Sequence, residues 1–142
     1  MTMPGTRSSS SGALPVSLRG VTPVLLVGDI AATIPWYTAK LGFAADAVPR
    51  RPPHAFCILQ RDAVTLFLQQ LDGYRKPEHY HERPGGVWAA YFHTSGLRAW
   101  YDELKGDPEI ELVQPLRQQP FGQLEFEVRD PNGYLLVFAE PL

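Results

Sequence analysis

Two stretches decide the fold: "VTPVLLVGDIAATIPWYTAKLGF" (Val21–Phe43) and "VWAAYFHTSGLRAWYDELKGD" (Val87–Asp107), which repeat one plan in the two halves of the chain. Each opens on an apolar, strand-like run, crosses a short polar break and enters a segment with helical character. Each helix carries a Trp-Tyr pair, Trp36-Tyr37 or Trp100-Tyr101, followed by a Leu (Leu41 or Leu104) and a Gly (Gly42 or Gly106). The spacing differs by one residue at the end, as expected of a diverged repeat. Thr33 is placed to cap the first helix, which puts Pro35 in its first turn, where a missing N–H costs nothing. Gly42 suits the helix C-terminus.

Three short strand-like runs follow each helix. In the first half they are Phe43–Val48, Ala55–Gln60 and Val64–Leu71, the last two joined by a tight Arg-Asp turn. In the second half they are Ile110–Leu116, Gln123–Arg129 and Tyr134–Glu140, with "DPNG" (Asp130–Gly133) forming a type I turn between the last two. "QLEFEVR" alternates cleanly: Leu124, Phe126 and Val128 on one face, Gln123, Glu125 and Glu127 on the other. That polar face either meets solvent or lines a cavity. The pattern is βαβββ twice, an α+β fold with module one at residues 20–72 and module two at 87–142. Residues 73–86, "GYRKPEHYHERPGG", are dense in Gly, Pro and charge and read as the connecting loop.

Bulk properties narrow the function classes. The chain has 142 residues, enough for one domain with a real core. It is 44% hydrophobic and 20% charged, with a formal net charge of −2. Neither nucleic acid nor an anionic membrane is expected as partner, and the densest basic pair, Arg50-Arg51, is too small to track phosphates. Cys57 is the only cysteine, which rules out an intrachain disulfide and a thiolate zinc site; in "AFCIL" it reads as a buried, inert thiol. The first nineteen residues, with four consecutive serines, read as a disordered or loosely packed arm without the apolar core of a signal peptide. A cytoplasmic protein is expected.

Two βαβββ units, "VGDIAATIPWYTAKLGF" near the front and "FEVRDPNGYLLVFAE" at the end together resemble the vicinal oxygen chelate superfamily, from Gly20 to Leu142. That group includes glyoxalase I, extradiol dioxygenases, fosfomycin-resistance enzymes and bleomycin-resistance proteins. The resemblance implies paired modules whose strands curl into an open, U-shaped cavity, usually completed in a homodimer. It also implies where metal ligands would stand. The first lies seven residues before Asp29, at Thr22; the second opens the first strand of module two, at Trp88; the third is the eighth residue from Asp130, at Val137. Thr, Trp and Val do not offer a divalent ion the imidazole and carboxylate donors it needs. Glu140 and His93 stand an odd number of residues from those positions, so strict alternation puts them on the opposite face. No metal and no cofactor is expected.

Within the superfamily, "VWAAYFHTSGLRAWYDEL" and "LEFEVRDPNGYLLVFAE" are similar to the bleomycin-resistance proteins, which bind a planar cationic antibiotic in a groove at the dimer interface without metal. The ligand-binding residues this implies are Trp88, Phe92, Phe56, Glu125 and Glu127. Trp88 and Phe92 are expected to share a strand face, with Tyr91 and His93 on the other as packing or interface residues. Trp36 and Trp100 are expected in the core. A net charge of −2 is weak for attracting a polycation. The resulting expectation is metal-independent sequestration of a small aromatic or cationic molecule. The alternative is a glyoxalase-type lyase or dioxygenase with a non-standard metal site built from His54, His79, His81 or His93. "EHYHERP" itself (Glu78–Pro84) reads as a solvated connector, which can also border the cavity.

Overall fold

A computed structural model describes residues 14–142. In it, β1 (Val24–Val27) leads into α1 (Ile30–Leu41), and β2 (Ala44–Val48), β3 (Phe56–Arg61) and β4 (Val64–Gln70) complete module one. Module two repeats the order with β5 (Trp88–His93), α2 (Leu97–Leu104), β6 (Glu111–Gln118), β7 (Gln123–Arg129) and β8 (Leu135–Pro141). The strands after each helix begin and end within two residues of the positions the sequence suggests. The first thirteen residues of the expected arm lie outside the described residues, and residues 14–19 have no regular structure.

The two sheets have the same topology. Sheet one has the order β1-β4-β3-β2 and sheet two β5-β8-β7-β6. In each, the first strand pairs parallel with the last, and the remaining pairs are antiparallel. Neither sheet closes on itself. The parallel pair requires a crossover, and the helix supplies it while covering one face of its own sheet.

The end of α1 is marked by Gly42 as expected, but its start is specified by a different residue from the expected Thr33. The cap of α1 is Asp29, extended at φ −152°, whose carboxylate accepts from the Ala32 N–H at 3.2 Å. Thr33 instead sits inside the helix, its hydroxyl donating to the Asp29 carbonyl at 2.8 Å. Pro35 is therefore the sixth helical residue and lies past the first turn. Its missing N–H leaves the carbonyl of exposed Ala31 to solvent. Gly42 ends α1 in the left-handed region at φ 74°, where a side chain would also stand 3.0 Å from the Arg61 guanidinium. Both helix starts share a further device. A side chain from the last strand of the module accepts the first helical N–H: Gln70 from Ile30 at 2.8 Å, Glu140 from Leu97 at 3.0 Å. Glu140 acts as a carboxylate at a helix N-terminus, which suits its charge.

Between the helices and the sheets lies one continuous apolar core. Cys57, Leu59, Leu66 and Leu68 enter it from sheet one, and Phe92, Phe126, Val128 and Phe138 from sheet two. Phe92 stacks on Phe138 at 4.7 Å, and Trp100 meets Phe138 edge-on at 4.9 Å. Polar bonds then lock the modules together. The Tyr37 hydroxyl donates to Asp130 at 2.5 Å, Asn132 donates to the Thr33 hydroxyl at 2.9 Å, and the Tyr134 hydroxyl donates to the Leu26 carbonyl at 2.6 Å. Asp130 also accepts from the N–H groups of Asn132 and Tyr134 and so shapes the "DPNG" turn. Burial holds the Asp130 carboxyl above its usual range, and burial together with Asp130 pushes the Tyr37 hydroxyl well up. Because the shared core lies on the helix sides, each sheet keeps a second face turned away from it. Among the described residues no helix is long and apolar enough to cross a membrane.

Candidate functional site

The second face of sheet two departs from the pattern of a half-solvated sheet. β7 alternates as its sequence requires, yet Glu125 and Glu127 on the side away from the helices are only 0% and 4% exposed. They stand in register with Ala139 and Val137 of β8, both fully buried. The polar face of "QLEFEVR" is therefore covered by its neighbours and forms the floor of a candidate trough, and the solvent-facing alternative falls.

β5 forms one wall of this trough, and a bulge determines which of its residues take part. Trp88 pairs with Leu135, but Ala90 pairs with Leu136, so one extra residue is accommodated between them. Alternation restarts after the bulge, and Trp88 and Tyr91, three residues apart, share a face. The Trp88 indole N–H donates to Glu127 at 3.2 Å, and the Tyr91 hydroxyl makes a very short bond to Glu125. Burial, reinforced by Glu125, pushes the Tyr91 hydroxyl up to about 12. The rings run in a row, Trp88 to Tyr91 at 5.5 Å and Tyr91 to His93 at 5.4 Å. This reverses the face assignment made from strict alternation. Tyr91 and His93 belong with Trp88, while Phe92 points the other way, under α2 against Phe138.

The charge balance of the trough is incomplete. Glu125 Oε1 is buried and has no hydrogen-bond partner. Among the described residues no ion pair reaches either carboxylate. Arg117 is the cross-strand partner of Glu125, but it is exposed and does not bond to it. Arg129, next along the same face of β7, is engaged by Glu111 at 3.0 Å and the Gly85 carbonyl at 2.8 Å. A buried carboxylate with an unmet acceptor is costly, and an incoming cation or N–H donor would offset that cost.

The connector between modules closes one end of this trough. Tyr80 lies under the Arg129 guanidinium at 4.3 Å, and Arg83 stands over the Trp88 ring at 5.2 Å. Gly85, at φ 80°, passes so close that an added Cβ would meet Val113 at 2.7 Å. His79 pairs with Glu82 at 3.0 Å, and His81 is exposed. The connector is thus part of the site's boundary. Tyr91 joins the candidate site because the bulge breaks period-two alternation, Arg129 because it continues the face of Glu125 and Glu127, and Arg83 through the connector, where Gly85-Gly86 just ahead of β5 was the one local hint of a close backbone approach.

Phe56 lies on the corresponding open face of sheet one, with its ring edge-on to Phe67 at 5.3 Å. A concavity of about 550 Å³ lies on the opposite side of sheet two, where Phe92 and Trp100 line it with the β3–β4 turn. Its charged groups, Arg61, Asp62 and Glu103, are exposed and need no ligand to satisfy them. The trough, with its buried unmet acceptor, is the stronger candidate.

The three positions where the resemblance would put metal ligands carry other side chains. Val137 is fully buried between Tyr91 and Glu127, and Trp88 uses its only polar atom on Glu127. With Thr22 as the third member, this set does not fit a divalent metal. His54 Nδ1 lies 2.7 Å from the Pro49 carbonyl, and among the described residues no three His, Cys, Asp or Glu side chains are grouped to hold an ion.

Three solved structures illustrate the likeness. A glyoxalase-related enzyme from Clostridium phytofermentans matches with TM-score 0.70 at 17% identity, covering 89% of this chain and 98% of its own. A virulence protein from Salmonella typhimurium matches with TM-score 0.63 at 25% identity, covering 90% and 100%. The bleomycin-binding protein of Streptomyces verticillus, solved with copper(II)-bleomycin, matches with TM-score 0.61 at 23% identity, covering 87% and 97%. No curated protein matches the chain in sequence. The family model described as Glyoxalase/Bleomycin resistance protein/Dioxygenase superfamily matches residues 21–138, nearly the whole of both modules, and the chain belongs to that superfamily.

Proposed function

We propose that the chain binds a small cationic molecule with aromatic surface in the trough of module two, without a metal, and sequesters it rather than transforming it. The observation that carries this reading is the fully buried Glu125, whose Oε1 has no partner, beside the Trp88–Tyr91 aromatic row. A cation in the trough would satisfy the carboxylates and stack on the indole. The fold likeness to a bleomycin-binding protein is consistent with such a ligand.

In this reading a homodimer would complete the trough. Module one of a second copy, with Phe56 and Phe67 on its open face, would supply an apolar wall opposite Trp88, Glu125 and Glu127. Phe92 contributes from behind, by fixing β5 against Phe138. Cytoplasmic sequestration of a toxic cation is the physiological role this reading implies.

Tryptophan fluorescence titrated with bleomycin and a panel of planar cations tests it. Saturable quenching in the wild type, lost in Trp88→Ala and weakened at least tenfold in Glu125→Gln, is the expected result. Elemental analysis of protein purified without chelator tests metal independence. A stoichiometric divalent metal that disappears from a His79/His81 double variant would replace this reading with the metalloenzyme one.

A further inference from the structure

The connector carries a cation of its own onto the surface the proposed ligand needs. Arg83 places its guanidinium carbon 5.2 Å from the centroid of the Trp88 indole, within cation–π range. The same group donates through Nη1 to the carbonyls of Pro84 and Gly86, and the Arg83 backbone closes turns to His79 at 3.0 Å and from Gly86 at 2.9 Å. Arg129 fastens this loop to β7 through the Gly85 carbonyl. Held in this way, Arg83 covers the indole but makes no bond to Glu125 or Glu127, and Glu125 Oε1 stays unmet.

We infer that Arg83 is a tethered stand-in for the ligand's cationic group, that the trough recognises planar guanidinium- or amidinium-bearing molecules, and that such a ligand binds by displacing Arg83 from Trp88. The inference rests on the proposed binding role of the trough and names its ligand class. A delocalised planar cation is weakly hydrated, stacks face-on over indole and directs paired N–H donors in its own plane. Arg83 uses the first two properties. Its Nη1 donor is turned to the Pro84 and Gly86 carbonyls of its own loop, and none of its N–H groups bonds to Glu125 or Glu127. A free ligand with the same head group can stack on Trp88 and donate to Glu125 together. An alkylammonium has the charge without the plane, so it gains less from the ring.

Calorimetric titration with benzamidine and benzylamine separates the possibilities in wild type, Arg83→Ala and Arg83→Gln. The glutamine variant keeps a polar stem on the loop should alanine disturb it. Benzamidine is expected to bind wild type more tightly than benzylamine does. Removing the Arg83 charge should tighten benzamidine by roughly two- to fivefold, the equivalent of an exposed cation–π contact. In a Trp88→Ala background the Arg83 substitutions should have no effect. Equal benzamidine affinity in wild type and both Arg83 variants overturns the inference and leaves the proposed function standing. A preference for benzylamine overturns the ligand class. Absence of binding in every variant overturns the inference and the proposed function together.

Discussion

The two modules agree on the side that faces the helices and differ on the side that faces away. Their topologies match down to the strand-end side chain that receives the first helical N–H, Gln70 in one and Glu140 in the other. Their open faces are chemically opposed. Sheet one offers Val24 and Val48, 49% and 44% exposed, with half-buried Phe56, Ile58 and Phe67 and a single exposed carboxylate on β2, Asp46. Sheet two offers two buried carboxylates, an indole and a phenol, with a loop folded over one end. The shared core constrains one face of each copy, because truncation there opens a cavity. The other face is free of that constraint and can diverge toward binding.

The largest expected effects test the common side. Phe138→Ala should cost about 3–5 kcal/mol and Leu68→Ala about 2–5 kcal/mol, read from urea unfolding, because each empties a fully packed site. A single transition is expected in both variants. Separate transitions for the two modules would break the picture of one core.

The bonds that join the modules come next. Tyr37→Phe leaves Asp130 without one of its donors and should cost about 1–3 kcal/mol. The pH dependence has a definite sign. Asp130 is held above its unfolded value, so as pH falls the native state takes up this proton before the unfolded chain does. Its favourable contribution is full below the unfolded carboxyl range, about 3.9, and is lost as pH rises through the folded value. The stability difference between wild type and Asp130→Asn should therefore move in favour of wild type on acidification.

A smaller effect addresses the open faces directly. Glu125→Gln removes a buried carboxyl group that no ion pair reaches. It should leave stability unchanged or raise it by about 1 kcal/mol, even as cation binding weakens. A loss of several kcal/mol would mean that the carboxylate is structural and that module two keeps it for folding. The subtlest measurement is the phenolate absorbance of Tyr91, taken as the difference between wild type and Tyr91→Phe. Its midpoint should lie at about 12 and fall in Glu125→Gln. A phenol raised in this way loses its stabilising contribution as pH climbs from about 10 to the folded value.

Much of the fold was legible because it is local. Period-two alternation marked the strands after each helix, "DPNG" marked its turn, and Gly42 marked the end of α1. The cap was a closer contest. Asp29 and Thr33 both carry the required side-chain oxygen, and only the backbone path, extended at Asp29, decides between them. Which residues of the candidate site stand together was legible in part. Trp88, Glu125 and Glu127 fall together in the trough, while Phe92 does not and Tyr91 takes its place.

Residue pattern by itself determined the repeat and most of the secondary structure, since both depend on neighbours in the chain; that Thr22, Trp88 and Val137 stand where metal ligands would be is what the family resemblance implies. Tertiary structure alone decided which side chains share the trough. A bulge exists only relative to the partner strand, and β8 is what reveals the extra residue between Trp88 and Ala90. The fate of "EHYHERP" was likewise settled at long range, by Arg129 holding the Gly85 carbonyl and by Arg83 coming to rest on Trp88.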